Sequence, residues 1–280
     1  MIRVVQTDLY AVIGHPVGHS LSPAMMNAAF DGLGLAAHYL AIEVDDLTAA
    51  LRVLGDIGVR GLSVTIPHKE TACQLAMKLD DTAAAIGAVN TLKRLNDQNG
   101  WEGINTDWLG AVRALRQVTS LSGKRALVVG AGGSARAVVY GLKREGATVT
   151  VTNRTPERGR ALAAAFDSDF LALAEVPRRT FDILVQCTSV GLAGGLVTEV
   201  VPASIFHSGM VVMDLVYRPQ WTPLLLAARD AGCTTLSGLD MLLFQGTAQF
   251  EWWFQRPAPL APMRDALRRA FSKENHDSTH

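Results

Sequence analysis

Apolar positions fall in short blocks separated by turn residues, and the blocks switch between two periods. Leu9–Ile13 is a continuous apolar run ended by Gly14-His15-Pro16, so it reads as a buried strand feeding a loop. Ser22-Pro23 then predicts a helix start, with Ser22 as N-cap and Pro23 as first helical residue. A second strand is predicted over His38–Val44. Behind the acidic pair Asp45-Asp46, Leu47, Leu51, Leu54 and Ile57 mark one helical face. Gly61–Ile66 is a third strand stopped by Pro67, and a helix is expected from about His68 to Leu79. Strand and helix in alternation imply a parallel or mixed sheet covered by helices. Shorter strands follow at Gly87–Leu92 and Gly103–Asn105, around a turn at Asn96-Asp97-Gln98-Asn99-Gly100.

A helix from Thr106 or Asp107, with Leu109, Val112 and Leu115 on one side, is expected to carry the chain into a second unit. That unit opens with a strand at Lys124–Val129, a turn at Gly130-Ala131-Gly132-Gly133, a helix from Ser134 to Glu145 ended by Gly146, and a strand at Thr148–Thr152. Later strands are predicted at Asp182–Gln186 and Met210–Leu215. Helices are predicted over Leu239–Phe254 and Pro262–Phe271, packing back on the first unit, before a polar, frayed tail from Ser272 to His280.

Composition narrows the classes. The chain has 280 residues and is 49% hydrophobic, enough for two cores. Basic and acidic residues number 26 each, which argues against a nucleic-acid binder. Cys73, Cys187 and Cys233 form neither a disulfide framework nor a zinc signature. His15 and His19 are separated by Pro16 and Gly18, so helical metal-ligand geometry is not expected and no metal is predicted. Met1–Asp8 lacks the apolar core of a signal peptide, and no apolar run approaches the ~20 residues that span a bilayer. The expectation is a cytoplasmic protein with small-molecule ligands and no membrane or nucleic-acid partner, acting as monomer or homodimer.

Gly130-Ala131-Gly132-Gly133-Ser134-Ala135 fits a dinucleotide-binding turn between a strand and a helix. The first glycine permits the tight turn, the second admits a pyrophosphate to the backbone, and Ala135 allows close packing. The next strand ends in Asn153-Arg154-Thr155, with Arg158 one turn on, where an NAD binder carries a carboxylate. Guanidinium groups there suit a 2′-phosphate, so NADP is the expected cofactor. In the first unit, Ser20, Ser22, Thr65, Lys69, Asn90 and Asp107 all sit at strand ends or in adjacent loops, the positions where α/β proteins bind ligands. Two hydroxyls near a helix start, Ser20 and Ser22, suit a carboxylate. Gln245 and Gln249 share a helix face amid apolar residues, and Trp252-Trp253 reads as packing.

Several segments together resemble the shikimate dehydrogenase family over nearly the whole length. They are Gly-His-Pro-Val-Gly-His-Ser-Leu-Ser-Pro (14–23), Val-Thr-Ile-Pro-His-Lys (64–69), Gly-Ala-Val-Asn-Thr (87–91), Gly-Ile-Asn-Thr-Asp (103–107) and Gly-Ala-Gly-Gly-Ser-Ala (130–135). Asn-Arg-Thr (153–155), Asp-Leu-Val-Tyr-Arg-Pro (214–219) and Gly-Leu-Asp-Met-Leu (238–242) with Gln245 complete the set.

The resemblance implies an α/β fold of two domains: a substrate domain with a mixed sheet, from 1–107 and 240–280, and a Rossmann-like parallel-sheet NADP domain, from 108–239. It implies NADP-dependent reduction of 3-dehydroshikimate to shikimate, with quinate use as the alternative. Further readings are a related dehydrogenase for an amino-substituted shikimate analogue and, from a different class, a non-catalytic NADP-binding regulator. Lys69 and Asp107 correspond to the family's catalytic pair. Ser20 and Ser22 are expected at the substrate carboxylate with Tyr217 nearby, and Thr65, Asn90 and Gln245 at its hydroxyls. Leu215, Gly238 and Met241 are expected near the nicotinamide, and Thr188 also on the cofactor side. Gln186 departs from the pattern, where asparagine is expected, and bears on the local strand-end contacts.

Overall fold

A computed structural model describes residues 7–95, 100–192 and 199–277. The predicted turn at residues 96–99, the first six residues and the last three lie outside that range. Packing divides the chain into two units. One runs to Thr106 and resumes at Gln245; the other is Asp107–Phe244.

In the first unit, β1 (Asp8–Gly14), β2 (Ala37–Glu43) and β3 (Val59–Val64) are parallel neighbours. β5 (Thr91–Arg94) and β6 (Trp101–Ile104) join them antiparallel, and β4 (Lys78–Leu79) pairs parallel with β6. The order β2-β1-β3-β5-β6-β4 is a mixed sheet. Two crossover helices connect the parallel strands: α1 (Ser22–Gly32) and α2 (Leu47–Asp56). Leu47, Leu51 and Leu54 are buried as their spacing predicts, but Ile57 is the C-cap of α2 and 61% exposed. Asp46 caps α2 by accepting the Ala49 N–H at 3.1 Å.

Three local expectations fail. The helix drawn from His68 to Leu79 is α3 (Lys69–Leu75), followed by β4 and a new helix, α4 (Asp81–Ile86). Asp80 starts α4 by accepting the Ala83 N–H at 2.8 Å, and Gly87 ends it at φ 70°. Gly87 therefore closes a helix instead of opening a strand. Ser22 is not the cap of α1: Leu21 holds that place and no side chain caps the helix.

The last helices belong to this unit from Gln245 onward. α9 (Gly238–Phe254) and α10 (Leu260–Asp277) run further than the pattern suggested, so the segment from Ser272 to Asp277 is helical. Trp253 packs on Tyr10 and donates its indole N–H to the Leu92 carbonyl at 3.0 Å. Gly61 is needed there, because a Cβ would sit 2.7 Å from the Trp253 ring.

The second unit begins with α5 (Asp107–Leu115). Its strands are β7 (Arg125–Val129), β8 (Thr148–Thr152), β9 (Asp169–Phe170), β10 (Ile183–Gln186), β11 (Val211–Asp214) and β12 (Thr234–Leu236). All pairings are parallel, in the order β12-β11-β10-β7-β8-β9. The helices are α6 (Gly133–Arg144), α7 (Pro156–Ala165) and α8 (Pro223–Asp230). Near-continuous burial of β7, β8, β10 and β11 is what a sheet covered on both faces requires. The strand order reverses between β7 and β10, which makes their C-terminal ends a topological switch point. No helix among the described residues is long and apolar enough to cross a membrane.

Candidate functional site

In the first unit, the ends of β1 and β3 are locked together. The His15 N–H donates to the Ile66 carbonyl at 2.9 Å, and a side chain at Gly14 would collide with Thr65. Only glycine lets the two loops approach so closely, and this brings the Gly14–Ser22 segment beside Thr65. There the Ser20 hydroxyl accepts the Ser22 N–H at 3.2 Å, and Ser22 is 5% exposed. Lys69 opens α3 and is half-buried; its carbonyl accepts the Val89 N–H at 2.8 Å, which ties α3 to the segment entering β5. The neighbouring His68 is buried, with Nε2 2.6 Å from the Val44 carbonyl, so it anchors the loop.

Asn90 is bonded through both ends of its amide. Its Oδ1 accepts the Thr106 N–H at 2.7 Å and the Thr91 hydroxyl at 2.8 Å. Its Nδ2 then points at Thr106 Oγ1, 2.9 Å away, and at Gln245 Oε1, 3.4 Å away. Asn90 and Gln245, 155 residues apart in the chain, thus form one buried amide pair. These bonds hold both amides in one orientation, and fixed orientation is what lets a site select hydroxyl groups.

In the second unit, the glycine turn stands at the switch point. Gly130 has φ 120°, a conformation glycine adopts freely, and its N–H donates to the Thr152 carbonyl at 2.9 Å. Thr188 Cγ2 would lie 3.1 Å from a Cβ there, so the loop after β10 sits against the turn after β7. Gly132 is the N-cap of α6, makes no side-chain cap and faces open space. Ala131, Gly133 and Ser134 are partly exposed around it, and Ala135 is fully buried beneath. A helix start whose N-cap residue brings no side chain, with room above it, fits a dinucleotide pyrophosphate.

Asn153 Nδ2 donates to the Thr155 carbonyl at 2.8 Å and shapes the turn after β8. Thr155 is the N-cap of α7, and Arg154 and Arg158 are both exposed on that turn and helix. These residues fit a 2′-phosphate. Gly238 lies so close to the Leu215 carbonyl that any side chain would collide with it, and Met241 and Leu215 share one apolar cluster. Tyr217 follows in the same loop and is half-buried. Asp107 is 3% exposed at the first position of α5.

Two further residues organise the loops at these strand ends. Gln186 is fully buried: its Oε1 accepts the Thr188 N–H at 2.5 Å, and its Nε2 donates to the Thr188 and Val190 carbonyls at 3.1 and 3.0 Å. The departure from asparagine thus supplies three bonds to the loop bearing Thr188. Asp214 is fully buried at the end of β11, accepting the Val216 N–H at 2.9 Å and the Thr222 hydroxyl at 2.7 Å. Desolvation pushes its carboxyl up to about 6, against the lowering effect of those two bonds.

The second unit's parallel sheet and glycine turn, in one chain with a mixed-sheet unit rich in buried polar side chains, define a two-unit dinucleotide-binding α/β protein. Family models agree segment by segment: a shikimate dehydrogenase substrate binding domain over residues 12–92, a shikimate / quinate 5-dehydrogenase over 113–214, and a shikimate 5′-dehydrogenase C-terminal domain over 238–268. The chain is 55% identical to the shikimate dehydrogenase (NADP(+)) of Syntrophobacter fumaroxidans, covering 99% of both. It is similar to the crystal structure of shikimate dehydrogenase from Aquifex aeolicus, at TM-score 0.88 and 38% identity over 95% of this chain and 100% of that one. The shikimate 5-dehydrogenase of Thermus thermophilus, solved in complex with NADP(H) and shikimate, matches at TM-score 0.86 and 38% identity over 94% and 100%. The chain belongs to the shikimate dehydrogenase family.

Proposed function

We propose that this chain catalyses the reversible NADP-dependent reduction of 3-dehydroshikimate to shikimate, a step of aromatic amino acid biosynthesis. The observation that carries the reading is the end-to-end match to a curated NADP-dependent shikimate dehydrogenase. The reading includes a cytoplasmic enzyme, working as monomer or homodimer on small molecules.

Each predicted residue takes a role consistent with its surroundings. Ser20 and Ser22, with Tyr217, hold the substrate carboxylate. Thr65, Asn90 and Gln245 read its hydroxyls, a task for which the ordered amide pair is suited. The main chain of Gly130, Ala131, Gly132, Gly133, Ser134 and Ala135 holds the pyrophosphate, and Asn153, Arg154, Thr155 and Arg158 hold the 2′-phosphate. Thr188, Leu215, Gly238 and Met241 position the nicotinamide end. NADPH, when bound, supplies the hydride that adds to the carbonyl carbon and leaves as NADP+. As that bond forms, the carbonyl oxygen gains negative charge and takes up one proton. Lys69 and Asp107 are the residues assigned to delivering that proton and to taking it back from the hydroxyl in the reverse direction.

Steady-state rates with shikimate and quinate, each with NADP+ and NAD+, test the reading through the absorbance of reduced nicotinamide. Turnover is expected chiefly with shikimate and NADP+. Faster turnover of quinate reassigns the substrate, and no turnover with any pair leaves a non-catalytic NADP-binding regulator instead.

A further inference from the structure

The buried polar cluster of the first unit extends beyond Asn90 and Gln245, through side chains the proposed mechanism leaves unused. Tyr39 on β2, Ser63 on β3 and Gln249 on α9 are 1%, 6% and 2% exposed. The Tyr39 hydroxyl lies 2.5 Å from Ser63 Oγ, Ser63 Oγ lies 2.6 Å from Gln249 Oε1, and Gln249 Nε2 lies 3.2 Å from the Asn90 carbonyl.

The direction of this chain is forced. An amide oxygen only accepts, so Ser63 donates to Gln249, and the Ser63 oxygen is left to accept from Tyr39. Turning the Gln249 amide over would set its oxygen against the Asn90 carbonyl, acceptor against acceptor. Desolvation raises the Tyr39 pKa far above its ordinary value, so the phenol stays protonated and donating.

We infer that Tyr39, Ser63 and Gln249 form a positioning relay that sets Asn90 and Gln245 for recognition of the substrate hydroxyls, an inference that rests on the proposed function. Two geometric facts support it. First, the Asn90 carbonyl accepts both Gln249 Nε2 and the Val64 N–H, at 3.2 and 2.8 Å, so the relay pins the backbone from which the Asn90 amide projects. Second, Gln249 follows Gln245 by one turn of α9, so both face the same way. Anchoring Gln249 fixes the rotation of α9 about its axis and hence the origin of the Gln245 side chain. A core that needed only to be filled would hold apolar residues here, because burying polar groups costs free energy that geometric specification must offset.

Gln249→Met keeps the volume and removes both bonds, Ser63→Ala removes the middle hydroxyl, and Tyr39→Phe removes only the far one. The expected result is a KM for shikimate raised about tenfold in Gln249→Met and about threefold in Tyr39→Phe, each bond being modest in net strength. The turnover number and the KM for NADP+ should stay within about twofold, since neither reports on hydroxyl recognition. Ser63→Ala should fall between the two. Thermal unfolding, followed in parallel, separates the alternatives. Lower melting temperatures with an unchanged KM for shikimate make the residues mere core amides and hydroxyls and overturn the relay, as does an equal rise in both KM values. Should Gln249→Met fail to fold, Tyr39→Phe decides alone. Absence of shikimate turnover in the wild-type enzyme is a different failure: it sinks the functional reading and the relay with it.

Discussion

Under the proposed function the two units meet their ligands by different physical means. In the parallel-sheet unit the recognition surface is main chain: a glycine at φ 120°, an uncapped helix start and a close approach of Gly238 to the Leu215 carbonyl. In the mixed-sheet unit it is side chain, and Asn90 is itself held by Thr91, Thr106 and Gln245. Main-chain recognition depends on backbone conformation and tolerates no bulk. Side-chain recognition depends on a closed set of donors and acceptors and tolerates no missing partner. Mutations should therefore fail differently in the two places.

The largest effect is expected at Lys69. If the side-chain unit carries the chemistry, Lys69→Ala should lower turnover about a thousandfold, within the usual range for a lost proton donor, while KM for shikimate and NADP+ change little. Stopped-flow or steady-state kinetics on the folded variant measures it. Near-normal turnover would remove the chemical half of the contrast.

The next effect is one of bulk. Gly238→Ala should cost roughly 1–3 kcal/mol of folding free energy, because the added methyl collides with the Leu215 carbonyl and backbone must shift. Gly18, in the other unit, has nothing within 4 Å of its absent Cβ, so Gly18→Ala should leave stability nearly unchanged. Urea unfolding of both variants compares them. Equal stabilities would mean that the second unit yields to bulk as readily as a surface loop does.

Asp214 gives a pH-dependent test of the same unit. Its folded pKa, about 6, lies above the ordinary 3.8, so the folded state binds this proton more tightly than the unfolded state. Stability from this group is greatest below the unfolded value and declines as pH rises through about 6. Ionised at neutral pH, Asp214 opposes folding by about 3 kcal/mol. In unfolding free energies measured against pH, wild type should lose that amount relative to Asp214→Asn across this window. Parallel curves for the two proteins would mean that the buried carboxylate ionises in the fold as freely as in the unfolded chain.

How much of this was readable beforehand follows the same division. The glycine turn of the parallel unit was legible because main-chain recognition needs particular residues in consecutive order: Gly130, Gly132 and Ala135 fall where a strand gives way to a helix. The turn at Asn153–Thr155 was legible for the same reason. In the mixed unit the strand-end residues could be named, but not their partners. Ser63 and Gln249 are 186 positions apart, and a glutamine amid apolar residues on a helix gives no hint of what it bonds. The failures of local reading have local causes. A strand of two residues, β4, is too short to show a period and lay inside what read as one continuous helix, and the Asp80 cap that begins α4 stands just past that helix's expected end at Leu79. Gly87 preceded an apolar run and so looked like a strand opening, whereas its left-handed conformation closes the turn before.

The smallest effect expected is the most selective. Arg154 and Arg158 stand exposed beyond β8 with full solvent around them, so each contributes a screened, rim-like interaction rather than a buried one. Arg154→Ala should raise KM for NADP+ about tenfold, the loss of one forked contact to a doubly charged phosphate, and leave KM for NAD+ unchanged. The asymmetry matters more than the size. A general loosening of the turn would weaken both cofactors together, since both need the Asn153–Thr155 geometry. Raising the ionic strength supplies an independent check, because a guanidinium–phosphate contact in water weakens with salt whereas the main-chain cradle at Gly130–Ala135 is governed by shape. The NADP+ preference of wild type should therefore narrow as salt increases, and that of Arg154→Ala, left with Arg158 alone, should narrow less. If both proteins respond alike, cofactor choice does not lie with Arg154.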